Sequence, residues 1–287
     1  MAKIDKYSIK DLKKEFGTDE ACLNFLFDAS HSRACSCGGE YHLIKGRRQF
    51  QCSKCRFQIA PMSGTIFEKS TSPLTSWFHA LFVFSNAKSG VSAKELERQL
   101  GCTYKTAWRM LTLIRGALKQ DTNKLSGNVE MDEYFFGGKG CGGRNNEELG
   151  KAMKKKSVII GAVERNGLAK VEVVKDATAQ SIGKFLYKNI ERKKTQLLTD
   201  ASNRYHKVSK GYDRYSVNHS AGEFAYYGIH INSIEGFFSH LQRSIKGTYK
   251  AISKKYLQSY LDAFVFHYNN RSNDKDRFSA LLSCLAR

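Results

Sequence analysis

The sequence predicts an α/β protein in which one mixed strand-and-helix domain follows two small modules, and three observations carry that prediction. With 287 residues, the chain exceeds the roughly 100 to 200 residues of an ordinary single domain. Its hydrophobic period changes from helical to strand-like near Gly127. Four of its eight cysteines cluster between positions 35 and 55, where too few apolar residues exist to build a core. The expected organisation is a helical segment over 1–30, a cysteine module over 31–70, a helical module over 71–122 and an α/β domain over 123–287.

In residues 1–30, Ile9, Leu12, Phe16, Leu23, Leu26 and Phe27 recur at near-helical spacing, which predicts helices packed on the next part of the chain. Cys35, Cys37, Cys52 and Cys55 flank two short strand-like runs joined at Gly46. Paired thiolates on a hairpin can meet at one tetrahedral Zn²⁺, a structural closed site that substitutes for a core. C-x-C is the less common knuckle, so His31 or His42 could replace one cysteine. Cys22, Cys102, Cys141 and Cys284 are scattered and read as packing or surface residues. From Pro73 to Lys119 the pattern is helical, with Ser92 and Thr103 as caps and Gly101 at a turn between two helices. That is the form of a helix-turn-helix, with Leu96, Leu100, Ala107, Trp108 and Leu111 expected to face inward.

Beyond Gly127, VEMDEYFF, SVIIGAVE, LAKVEVVK and TQLLTD read as strands, TAQSIGKFLYKNI as a helix, and INSIEGFF onward as mostly helical. Gly137 to Lys156, rich in glycine and lysine, is expected to be an exposed basic loop.

Forty-seven Lys and Arg against twenty-seven Asp and Glu leave a formal charge of +20 with a pI near 9.6. A surplus of that size is best matched by a polyanion, and double-stranded DNA fits a helix-turn-helix. Arg47 and Arg48 at the hairpin tip, and Tyr104, Lys105 and Arg109 in the first turns of the second helix, are the expected contacts. No stretch approaches the roughly 18 apolar residues of a membrane span, and the amino terminus lacks the apolar segment of an export signal. The expectation is a cytoplasmic, nucleoid-associated protein with no membrane partner.

Three acids stand out among the carboxylates. Asp132 sits in an apolar strand, Asp200 ends another, and Glu235 opens a helix after the strand-like IHIN. An isolated carboxylate amid apolar neighbours is costly unless paired or bound to metal. Acids on a first strand, a later strand and a following helix are what a ribonuclease-H-like domain uses to hold two Mg²⁺ or Mn²⁺ ions. Singly, each also fits an ordinary role: a strand acid turned outward beside Glu130, or a favourable charge at a helix amino end.

CRFQIAPMSGTIFEKS, SPLTSWFHALF, TYKTAWRMLTLIR, MDEYFFGGK, VIIGAVERNG, LLTDAS and IHINSIEGFFSHLQRSIKGTY together resemble successive blocks of bacterial insertion-sequence transposases of the ISXO2-like group. The resemblance runs from about residue 30 to 270. It implies a zinc ribbon and helix-turn-helix ahead of a ribonuclease-H-like DDE domain, acting on inverted-repeat transposon ends and on target DNA as a dimer or higher oligomer. Asp132 and Asp200 match the first two catalytic acids. The third position stays open between Asn232 and Glu235; charge favours Glu235, since a carboxylate neutralises Mg²⁺ better than an amide. The resemblance also implies a phosphate-holding lysine seven residues after the glutamate, where this chain has Gln242 followed by Arg243, with Lys246 farther along. That departure keeps a rival reading in play: an inactive, transposase-derived DNA-binding regulator.

Overall fold

The computed structural model describes residues 6–137, 156–217 and 229–285. Much of the expected basic loop between Gly137 and Lys156 lies outside the described residues. The chain forms two compact units, one from residues 1–119 together with 270–287, the other from 120–269.

In the first unit, α1 (Ile9–Glu15) and α2 (Asp19–Ser30) begin at Ser8 and Thr18, whose side chains accept from backbone amides in their own first turns. Three short strands come next, β1 (Tyr41–Leu43), β2 (Phe50–Cys52) and β3 (Gln58–Ile59), paired antiparallel in that order. Phe27 of α2 packs on Phe50 of β2 with ring centroids 4.1 Å apart, so the helical segment covers the small sheet. Beyond them lie α3 (Leu74–Asn86), α4 (Ala93–Leu100) and α5 (Tyr104–Ala117). Ser92 and Thr103 cap α4 and α5 as expected, and Gly101 takes the left-handed conformation, φ 61°, that a side chain would resist.

The second unit is built on a five-stranded mixed sheet. Its strands are β4 (Leu125–Phe136), β5 (Ser157–Glu164), β6 (Ala169–Val174), β7 (Ile190–Asp200) and β8 (Asp213–Val217), in the order β6-β5-β4-β7-β8. β4, β5 and β6 pair antiparallel, while β7 runs parallel to both β4 and β8. Helices cover both faces, so seven successive residues of β5, Ser157 to Val163, are buried. On one face, Val129, Met131, Ile160 and Ala162 meet Ile182, Phe185 and Leu186 of α6 (Ala179–Asn189) and Tyr205 of α7 (Asn203–Val208). On the other, Ile159, Val163 and Val171 meet Ile234, Phe237, Phe238 and Leu241 of α8 (Asn232–Ser244) and Leu261 and Val265 of α9 (Leu257–Asn269). The strand-like IHIN forms no more than a β-bridge at Ile229. Its last residue, Asn232, already starts α8, which runs on into a π-helical turn over Ile245–Tyr249.

The last helix, α10 (Asp274–Leu285), was expected to close the α/β domain but belongs to the first unit. Phe278 stacks on Tyr7 at 4.8 Å and lies edge-on to Phe82 of α3.

Candidate functional site

β4 and β7 are parallel neighbours, with Val129 beside Leu197 and Glu130 beside Leu198. Asp132 and Asp200 each stand two residues beyond that last pair: Asp132 within β4, which continues to Phe136, and Asp200 at the carboxyl end of β7, the end at which α/β sheets commonly place their sites. Carboxylate oxygens of Asp132, Glu133 and Asp200 lie within 4.8 Å of one another. Two of these acids were expected to meet; Glu133 was not.

Glu133 comes directly after Asp132 on a strand whose side chains alternate, so it projects toward the α7 side of the sheet. Its side chain is 3% exposed, with Arg204 Nη2 3.6 Å from Oε2. Oε1 is buried without a well-formed hydrogen bond, as is the hydroxyl of Tyr205 in the same helix. Burial pushes the Glu133 carboxyl up to about 7; Arg204 opposes that rise, and Asp132 and Asp200 add to it. Three acids with their carboxylate oxygens this close, and with Arg204 as a cation beside Glu133, offer the oxygen donors that a hard divalent ion such as Mg²⁺ or Mn²⁺ requires. Nearby backbone supports the cluster: the Glu133 amide donates to Asp132 Oδ1 (2.8 Å) and the Ser202 amide to Asp200 Oδ1 (3.1 Å). Arg214 donates to Thr199 Oγ1 and to the Asp200 carbonyl, which fixes the end of β7.

Asn232 and Glu235 occupy the first turn of α8, and both are exposed. Among the described residues, the close carboxylate group does not include Glu235. The helix that carries it is nevertheless fixed beside β4 at two points flanking Asp132. Toward the amino end of α8, Glu130 accepts from the Ser233 amide (2.6 Å) and the Ile234 amide (3.0 Å). Farther along, Tyr134 stacks on Phe238 at 5.2 Å, and its hydroxyl is hydrogen-bonded with Gln242. Gln242 is thus a neighbour of the strand that holds Asp132. Arg243 and Lys246 are exposed, Lys246 within the π-helical turn rather than on the α-helix proper.

The four clustered cysteines converge in the first unit. Their sulfurs all lie within 4.8 Å of one another, with Cys35 Sγ 3.7 Å from Cys55 Sγ and Cys37 Sγ 3.4 Å from Cys52 Sγ. A tetrahedron of Zn–S bonds of about 2.3 Å has edges of about 3.8 Å, so the geometry fits Zn²⁺. The Cys35 thiol is drawn down to about 6 by the Cys37 amide and then by the Tyr41 hydroxyl, which favours the thiolate that metal binding needs. A side chain at Gly39 would place its Cβ 2.7 Å from Cys52 Sγ, so the knuckle requires glycine there. His31 instead stacks on Phe27 and bonds with Ser30 Oγ.

Tyr104, Lys105 and Arg109 share the exposed side of α5. Trp108, expected to face inward, is 38% exposed on that same side, one residue off the inward face carried by Ala107 and Leu111. Arg47 is exposed at the hairpin tip. Arg48 is half-exposed, and its guanidinium donates to the Ser70 and Ser72 carbonyls and to Asp19, tying the hairpin to the start of α3.

A five-stranded mixed sheet with helices on both faces and acids on adjacent parallel strands fits a transposase catalytic domain. Residues 124–269 match the family model of the ISXO2-like transposase domain, and the chain belongs to that transposase family. It is also similar to a Halobacterium salinarum protein described as an uncharacterized protein in transposable element ISH50, at 26% identity over 240 residues covering 79% of each chain.

Proposed function

We propose that the protein is a DNA transposase that binds the inverted-repeat ends of an insertion sequence and catalyses metal-dependent cleavage and strand transfer through a ribonuclease-H-like DDE site. The convergence of Asp132, Glu133 and Asp200 within 4.8 Å, in a chain of this family, carries the reading. Asp132 and Asp200 hold the divalent ions, Glu133 completes the carboxylate set from the opposite side of β4, and Glu235 or Asn232 closes the site from α8. Mg²⁺ or Mn²⁺ bound there supplies charge neutralisation at the attacking and leaving oxygens of the phosphodiester. Arg204, against Glu133, limits the repulsion among the acids before an ion arrives. End recognition is assigned to the cysteine module with structural Zn²⁺ and to α5, where Tyr104, Lys105 and Arg109, joined by Trp108, meet the major groove. Arg47, Arg243 and Lys246 add phosphate contacts. Two or more protomers bring two ends together, in the cytoplasm at the nucleoid.

The test is cleavage of a labelled DNA carrying the element's own terminal repeat, in Mg²⁺ and in Mn²⁺. Asp132→Asn and Asp200→Asn are expected to lower cleavage on the order of 10²- to 10³-fold, from a loss of several kcal/mol of transition-state stabilisation, with end binding unchanged in gel shift. Normal cutting by both variants would overturn the active-site assignment. If the unaltered protein binds ends and never nicks them in either metal, the regulator reading replaces this one.

A further inference from the structure

We infer that Glu130 is a positioning residue of the catalytic site: from inside β4 it serves as the amino-terminal cap of α8 and so fixes Asn232 and Glu235 beside Asp132. This inference rests on the proposed metal-dependent DNA chemistry, and it explains a buried charge which that chemistry does not use directly. Glu130 is completely buried on the same face of β4 as Asp132, two residues earlier. A carboxylate so placed is retained only if its oxygens are satisfied. Oε2 accepts from the Ser233 and Ile234 amides, and Oε1 accepts from Ser233 Oγ (3.0 Å) and from Arg165 Nε (2.7 Å). His230 Nδ1 lies 3.3 Å from the same Oε1, without the alignment of a hydrogen bond. Arg165 also donates through Nη2 to the His230 carbonyl (2.9 Å), which holds the residues leading into the helix.

The helix needs this arrangement because it has no cap of its own. Ile231 occupies the capping position and offers no side-chain acceptor, whereas α4, α5 and α6 each carry a Ser or Thr that accepts from the first turn. The amides at the start of a helix lack intrahelical partners, and a negative charge there also complements the helix dipole. Glu130 meets both needs from a strand about 100 positions earlier. Asp132 and the cap therefore share one rigid strand, and the distance from Asp132 to the first turn of α8 is set by a carboxylate two residues away. Loss of the cap frees that turn, and the acids on strand and helix no longer hold a fixed separation for a pair of ions.

The experiment uses full-length protein with Glu130→Gln, Glu130→Asp and Arg165→Lys, measured for end-DNA binding, cleavage rate against Mn²⁺ concentration, and amide hydrogen exchange. Glutamine has one acceptor oxygen where four donors converge, so Glu130→Gln is expected to raise the Mn²⁺ concentration for half-maximal cleavage at least about 10-fold. Binding of end DNA should stay within about 2-fold of the parent, and the Ser233 and Ile234 amides should exchange at least about 10-fold faster. Glu130→Asp, which keeps both oxygens, should recover part of the metal response, and Arg165→Lys should shift it less than Glu130→Gln. An unchanged metal dependence in folded Glu130→Gln overturns the inference, as does unchanged exchange at Ser233 and Ile234. If Glu130→Gln fails to fold, Arg165→Lys decides: a parent-like metal response and parent-like exchange overturn the inference. If the unaltered protein does not cleave, the transposase chemistry fails instead; faster exchange confined to the start of α8 then still supports the cap, and its absence refutes it.

Discussion

Asp262 of α9 accepts hydrogen bonds from Gln120 Nε2 (2.7 Å) and Gln258 Nε2 (2.8 Å), both at Oδ1, yet burial, the largest influence, holds its carboxyl above the ordinary 3.8. A folded pKa above the unfolded one means that the folded state keeps the proton more tightly. The stabilisation is fully present below the unfolded value and is lost as pH rises through the folded one. Asparagine offers the same acceptor without the charge. Asp262→Asn is therefore expected to be at least as stable as the parent at pH 7 and to remove this part of the decline, read from urea melts at pH 4 and 7. A loss of more than about 1 kcal/mol at pH 7 would show instead that the charge strengthens its hydrogen bonds by more than burial costs. The same tension between charge and burial explains which site residues the sequence disclosed. Asp132 and Asp200 were legible because each interrupts or ends an apolar run. Glu133 was not, because its role depends on where α7 places Tyr205 and Arg204. Glu130 carried a readable signal, an acid sharing the alternation of Asp132, but its partners at Ser233 and Ile234 lie about 100 positions away and nothing local names them. Trp108 was misplaced for a related reason: composition suggests a buried tryptophan, while the helix register turns it outward.

At the scale of elements, the seating of α8 on the sheet depends on Gly161. It pairs with Asp132 across β4 and β5, and a Cβ built there would stand 2.7 Å from Phe238 Cζ and 3.1 Å from Ile234 Cδ1. Those side chains belong to the packed core between sheet and helix, so they have little room to withdraw. Gly161→Val is expected to cost about 1 to 3 kcal/mol from overpacking, measured by denaturant unfolding. It should also weaken cleavage more than end binding, because the displaced helix is the one that carries Glu235. Parent-like stability and cleavage in this variant would show that α8 is not held by this contact. The strands β4 to β7 were readable because two-sided burial leaves apolar runs, and the helices because their apolar spacing is regular. β8 was missed: DRYSV has little apolar content and exposes much of its surface. IHIN looked like a strand because alternation alone cannot reveal a distant carboxylate that caps the helix beginning at Asn232.

For the whole molecule, the order of segments along the chain does not match the order of packing. Residues 120–269 form one unit, while 270–287 return to the unit built by residues 1–119. No local pattern announces that return; α10 has the amphipathic spacing of any terminal helix, and only the matching surface on α3, α5 and Tyr7 selects its partner. The consequence can be measured. Phe278, Leu281, Leu282 and Leu285 are all buried, and burying such side chains contributes about 1.5 to 3 kcal/mol each. The gross sum, roughly 6 to 12 kcal/mol, is comparable to the entire stability of an ordinary domain at about 5 to 15 kcal/mol. A chain ending at Asn269 is therefore expected to lose most of the ordered structure of its first unit while the second, which supplies its own core, stays folded. Limited proteolysis and mass mapping of the fragments separate the two results: cuts should accelerate throughout residues 6–119 and remain slow within the strands of 120–269. If cleavage instead accelerates in β4 to β7 and the cysteine module stays protected, the terminal helix supports the catalytic unit after all, and the boundary belongs where the sequence alone had placed it.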